Sequence, residues 1–190
     1  MSPARTQFTY CSGNIALAST ETFTFLGVSV HCSLSYREHI NHILRKASRT
    51  LYAITRALKG ASQQAKRSAF FSVCLPLLEY ASEIWNSHLR YLVQDLKSIN
   101  RKAFRWACRF GKCEHISSAM KEFNWPPLED RRKLKDCHIL EKILTHELEV
   151  NYKLLPLVNL SHNNACRANI RHTINTDAMK YSFFNRTMKF

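Results

Sequence analysis

Residues 7 to 30 alternate apolar and polar side chains near period two, in QFTYC, IALA and TFTFLGVSV, with Ser12-Gly13-Asn14 between the first two runs. β-branched and aromatic residues in this alternation suit a pleated surface, so one hairpin and a following strand are predicted. The pattern changes after Leu34. Ser35 and Glu38 have the spacing of a capping box, in which each side chain satisfies a free amide at a helix start. From there Ile40, Ile43, Leu44, Ala47, Leu51, Ile54 and Leu58 recur at helical spacing, within an arc of roughly 100°. Gly60 supplies the stop.

A second helical stretch covers residues 62 to 85, with Phe70, Val73, Leu77, Tyr80, Ala81 and Ile84 as its buried candidates. Pro76 predicts a kink or division there, because proline lacks an amide hydrogen and its ring crowds the preceding turn. The third stretch, residues 89 to 110, turns Leu92, Leu96, Ile99, Ala103, Trp106 and Phe110 to one side. After Ser117 come a short helical turn, Trp125-Pro126-Pro127, and a fourth helix running to about Val150. Glu129 and Asp130 lie in its first turn, favourable at the positive helix end. Leu134, Ile139, Leu140, Ile143, Leu144 and Leu148 are its predicted packing residues. Beyond Asn151 the periodicity fades, and a polar, basic tail over 151–190 is predicted to be partly disordered. The fold class is mainly α, with a small antiparallel β element over 1–34, a helical bundle over 35–110 and a helical extension over 111–150.

Charge changes this picture from a generic helical protein to one with a polarised surface. The 190 residues carry a net charge of +14. Residues 35–110 hold +10 of it, against 0 in 1–34, −1 in 111–150 and +5 in 151–190. On the first helix Arg45, Arg49, Arg56 and Lys59 fall within about 80° opposite the apolar stripe. On the third, Arg90, Lys97, Arg101, Arg105 and Arg109 lie on the side opposite its apolar residues. A solvated face accounts for either helix alone. Two such faces lining one groove would track a phosphate backbone without reading bases.

Candidates for chemistry are sparse. Asp95, Asp130, Asp136 and Asp177 are scattered, and no adjacent acidic pair has a strand context able to hold two catalytic metal ions. Gly-rich phosphate loops, a GxSxG elbow and HExxH are absent from the sequence. Cys108, Cys113 and His115, with Cys137 or His138, match no closed zinc spacing. His39 and His42 flank the apolar stripe of the first helix as solvated or hydrogen-bonded residues. Seven cysteines without paired spacing read as free thiols of a reducing compartment, and no run is long enough for a membrane span. An intracellular location, nuclear or cytoplasmic, is expected.

The ordered set FLGVSV, LSYREHINHILRKASRTLYAITRALKG, LPLLEYASEIWN, RKAFRWACRF and WPPLEDRRKL resembles a LINE-type, non-LTR retrotransposon reverse transcriptase, in its jockey-like branch. The resemblance covers about Phe8 to Arg186. It implies that 1–34 is the end of a palm, with Phe25, Leu26, Gly27 and Val28 matching the primer grip, and that 35–110 is a thumb-like domain holding an RNA/DNA primer–template duplex. The family's catalytic aspartates and Mg2+ belong to a Tyr-x-Asp-Asp hairpin upstream of FLGV. No cofactor is therefore expected in this chain, which is expected to be inactive alone and to have the missing palm as its partner. Residues 77–82 and Trp85 look like scaffold. Two other readings stay open: a repurposed helical protein-interaction module, and a relic of an element without function.

Overall fold

The N-terminal alternation folds as two hairpins, not as a hairpin and a strand. The computed structural model describes residues 10–87, 89–111, 116–145 and 147–148, and farther on 158–159, 169–170, 183 and 187. Strand β1 (Cys11–Ser12) pairs antiparallel with β2 (Ile15–Ala16), and β3 (Thr22–Phe25) with β4 (Val28–His31). Phe25 stands opposite Val28, which leaves Leu26-Gly27 as a two-residue loop. Both loop residues have positive φ, 47° and 78°, as a type I′ turn requires. The run TFTFLGVSV therefore folds back on itself at its centre.

Helix α1 (Arg37–Ala57) buries Ile40, Ile43, Ala47 and Leu51 as predicted, with Leu44, Ile54 and Leu58 half-buried at the margins of the stripe. The capping box does not form. Tyr36 occupies the N-cap position without a side-chain cap, one residue past Ser35. At the far end Gly60 takes φ +88°, the left-handed conformation that suits glycine and ends the helix.

The second stretch stays helical through Pro76, with a π turn just before it, and breaks at Tyr80-Ala81. Helix α2 (Gln63–Ala69), capped by the Ser62 hydroxyl accepting from the Ala65 amide at 3.2 Å, passes into a wider π turn over Phe70–Cys74. Helix α3 (Leu75–Glu79) follows with Pro76 in its first turn, where a missing amide costs little. Ala81, at φ 49°, then leads into α4 (Ser82–Trp85). The extra residue in the π turn rotates the following side chains by about 100°. The buried set becomes Phe70, Cys74, Leu75, Leu78, Ser82 and Trp85, while Val73, Tyr80 and Ile84, predicted inside, are exposed.

Helix α5 (Arg90–Cys108) buries Leu92, Leu96, Ile99 and Ala103 as predicted, and Asn100, Phe104 and Ala107 beside them. Trp106 and Phe110 are half-buried. Helices α6 (Ile116–Glu122) and α7 (Leu128–Leu144) complete the frame, so the fourth predicted helix stops short of Val150. Its inward residues are Leu128, Arg132, Asp136 and Ile143. Leu134 is 73% exposed, and Leu144 and Leu148 are exposed too, because α7 packs through a polar stripe in place of an apolar one. Strands β5 (Val158–Asn159) and β6 (Asn169–Ile170) pair antiparallel; the tail's predicted disorder falls mostly outside the described residues. The chain is mainly α.

Contacts fix the helix directions. The Arg37 guanidinium lies 5.7 Å from the Tyr91 ring centre, joining the starts of α1 and α5. Gln63 donates to the Cys108 sulfur at 3.3 Å, joining the start of α2 to the end of α5. Helices α1 and α5 thus run parallel and the α2–α3 segment returns between their ends. Trp125 locks the next segment onto this frame. Its indole stacks on Phe70 at 5.3 Å and meets Phe71 and Phe104 edgewise at 5.0 and 5.6 Å. Its Nε1–H donates to Asn100 Oδ1 at 2.8 Å, and Arg67 donates to the carbonyls of Phe123 and Asn124 at 2.9 and 2.7 Å.

Two stability predictions follow from these contacts. Trp125→Ala should lower the unfolding free energy by about 3–5 kcal/mol in chemical denaturation, with Trp125→Phe losing less. Leu26→Asn should raise it by up to about 1 kcal/mol, because asparagine tolerates the left-handed region better than leucine, whereas Gly27→Ala should lower it. Circular dichroism during urea unfolding measures both.

Candidate nucleic-acid interface

Most cations of α2 and α7 are consumed by the fold itself. Arg131 grips the Glu79 carboxylate with two nitrogens, Nε on Oε1 and Nη2 on Oε2, the latter at 3.0 Å. That hydrogen-bonded carboxylate raises the pKa of the Arg131 guanidinium further. Lys135 pairs with Glu83 at 2.7 Å and donates to the Glu79 carbonyl at 2.9 Å. Arg132, buried, donates to the Leu78 carbonyl at 2.6 Å and covers the Trp85 ring at 4.6 Å. Lys66 is buried 5.7 Å from the Trp106 ring centre. The α7 groups bind α7 to α3 and α4, Lys66 sits against α5, and all offer little charge to a ligand.

Helix α1 behaves differently. Its outer face presents His42, Arg45, Lys46, Arg49 and Thr50 around a groove of about 370 Å³, and Arg56 and Lys59 continue the line, exposed. Among the described residues none of Arg45, Lys46, Arg49, Arg56 and Lys59 has a carboxylate partner. Arg45 Nε donates only to the Asn41 carbonyl, at 3.2 Å, and Arg56 lies 5.7 Å from the ring centre of exposed Tyr52. Like charges one turn apart, as at Arg45 and Arg49, cost a helix roughly 0.2–0.5 kcal/mol per pair. Nothing in the described fold compensates that cost.

The predicted cations of α5 have several fates. Arg90, Arg101 and Arg109 are exposed, Arg109 in the left-handed conformation just past the helix end, at φ 54°. Lys97 is half-buried and paired with Glu129 of α7 at 2.7 Å. Arg105 is half-buried, with its Nε enclosed and without a hydrogen-bond partner. Among the described residues the groove is lined by α1 alone, so the structure does not gather the two predicted basic sets into one concavity. His42, Lys46 and Thr50 line the groove but were not among the predicted contacts. Lys46 follows Arg45 directly, and at about 100° per residue it lies beyond the arc drawn around the arginines.

The FLGV segment is the tip of the β3–β4 hairpin. Phe25 and Leu26 are exposed, Val28 is buried, and the Tyr80 hydroxyl donates to the Leu26 carbonyl at 2.8 Å. The Phe23 and Phe25 rings stack 6.4 Å apart on the exposed face. On the opposite side the hairpin is tied to α1, with the Ser29 amide donating to His39 Nδ1 at 3.3 Å. Of the two expected roles His39 therefore takes the hydrogen-bonded one, in a buried position.

No group of three metal-ligating side chains occurs among the described residues. Cys113 and His115 lie outside them, Cys108 is half-buried against Gln63, and Cys137 and His138 are exposed on α7. Burial raises the Cys108 thiol, and it pushes the Cys74 thiol up to about 11, so neither favours the reactive thiolate. No helix among the described residues is long and apolar enough to cross a membrane. Comparison of the chain with protein-family models, with curated proteins and with solved structures finds no match.

Proposed function

We propose that this chain is the palm end and thumb-like portion of a non-LTR retrotransposon reverse transcriptase, and that it holds the backbone of an RNA/DNA primer–template duplex. The observation that carries this reading is the outer face of α1 and the turn after it, where among the described residues five cations have no carboxylate partner while α7 spends most of its own on the fold. From Arg45 to Arg56 the line runs for about 16 Å at 1.5 Å per residue. That length spans about five base-pair steps at 3.4 Å each. Arginine and lysine side chains at such intervals neutralise phosphates and carry no sequence information, which suits an element that must accept any template. Catalysis would depend on aspartates and Mg2+ supplied by the rest of the parent polymerase.

The exposed aromatic face of the hairpin, Phe23, Phe25 and Leu26, is where this reading seats the remainder of the palm. The same face favours a second reading, a helical module that takes a protein partner. The two differ in how they treat nucleic acid. Under the first, fluorescence anisotropy with a labelled RNA/DNA hybrid should show tight binding, weaker for a single strand of the same length. The log–log salt slope should be about −4 to −5 if five phosphates are neutralised. Equal and weak binding to both probes would overturn the duplex-holding reading and favour the second.

A further inference from the structure

The bond between Ser29 and His39 has a property that the other hairpin contacts lack. Ser29 stands opposite Thr24, one step beyond the Phe25–Val28 pair that closes the loop, so its amide points out of the hairpin toward α1. There it meets His39 Nδ1 at 3.3 Å. A ring nitrogen that accepts a hydrogen bond carries no proton, so His39 is neutral with its proton on Nε2. Nε2 is buried without a hydrogen-bond partner, and the ring, 3% exposed, meets Trp85 edgewise at 5.7 Å.

Burial disfavours a second proton on this imidazole, and so does the donor that β4 turns toward it. Strand β4 presents an N–H donor, which would face a new N–H donor on Nδ1. Helix α4 presents the Trp85 ring, and its Glu83 carboxylate is engaged by Lys135. Helix α1 adds His42, and α7 adds the Arg132 guanidinium over Trp85. We propose that His39 is a proton-operated latch: neutral, it fastens the β3–β4 hairpin to the helical frame; protonated, it releases the hairpin while the helices stay packed.

Desolvation, with a smaller contribution from His42, lowers the pKa of His39 below the ordinary histidine value of 6.5. The open hairpin leaves the imidazole in water, where it takes up a proton more readily. Closure is therefore strongest above about pH 6.5 and weakens as pH falls below it, by at most about tenfold per pH unit, until the closed form itself protonates.

Amide hydrogen exchange between pH 7.5 and 5.5, corrected for the intrinsic pH dependence, tests the latch in the full chain. The protection of Ser29 should fall relative to that of Ala103 in the α5 core, by up to about tenfold. In His39→Gln, whose side-chain oxygen accepts the same bond without titrating, the ratio should stay constant. A constant ratio in the wild-type protein would overturn the proposal, and so would an equal fall in the Gln variant. Loss of protection at Ala103 in step with Ser29 would overturn it as well, since that is unfolding of the whole frame.

Discussion

The indole N–H of Trp125 is enclosed by Phe70, Phe71 and Phe104 and has one acceptor, Asn100 Oδ1. A buried polar group without its bond costs roughly 1–3 kcal/mol, so the amide of Asn100 specifies where this tryptophan sits. Asn100 is itself held from the far side, donating to the Pro126 carbonyl at 3.4 Å. That exchange fixes the Trp125-Pro126-Pro127 segment on α5, and through it the direction in which α7 departs. The ion pairs of Glu79 and Glu83 with Arg131 and Lys135, and the contact of Arg132 with Trp85, become possible only once α7 has been aimed.

The division of charge follows from the same arrangement. Helix α7 brings cations to carboxylates on α3 and α4, and Lys97 of α5 meets Glu129 at the start of α7. Among the described residues α1 takes no part in this exchange and keeps its cations. A single carboxylate, Glu38, stands in its first turn. The surface potential of the folded chain is therefore more uneven than the sequence alone implies, because folding cancels charge around α7 and leaves it intact along α1.

Where local periodicity decides the outcome, the sequence was legible. The apolar stripes of α1 and α5 and the stop at Gly60 appear at the positions read from it, whereas the second stretch breaks at Tyr80-Ala81 and not at Pro76. The turn at Leu26-Gly27 has its own signal in the sequence: apolar positions move from odd to even between Phe25 and Leu26, a phase slip that a continuous strand does not permit. The exposed Val73, Tyr80 and Ile84 were lost to the π turn, whose extra residue no side-chain pattern announces. Leu134 misled because α7 buries Arg132 and Asp136 instead, and buried polar packing depends on partners from distant elements. The basic residues of α1 were readable as a face. Their isolation from carboxylates was not, since ion pairs between helices depend on tertiary position.

The central claim is that binding belongs to the α1 face and not to the net charge of +14. Its most direct test compares Arg45→Glu with Arg49→Glu, made together, against Lys121→Glu with Lys142→Glu on α6 and α7, two double variants with the same change in net charge. Affinity for an RNA/DNA hybrid is measured for each at one salt concentration. The account predicts a loss of at least about tenfold in the α1 variant and a change within about threefold in the other. Equal losses in both would contradict it, and would assign the binding to total charge without a defined surface.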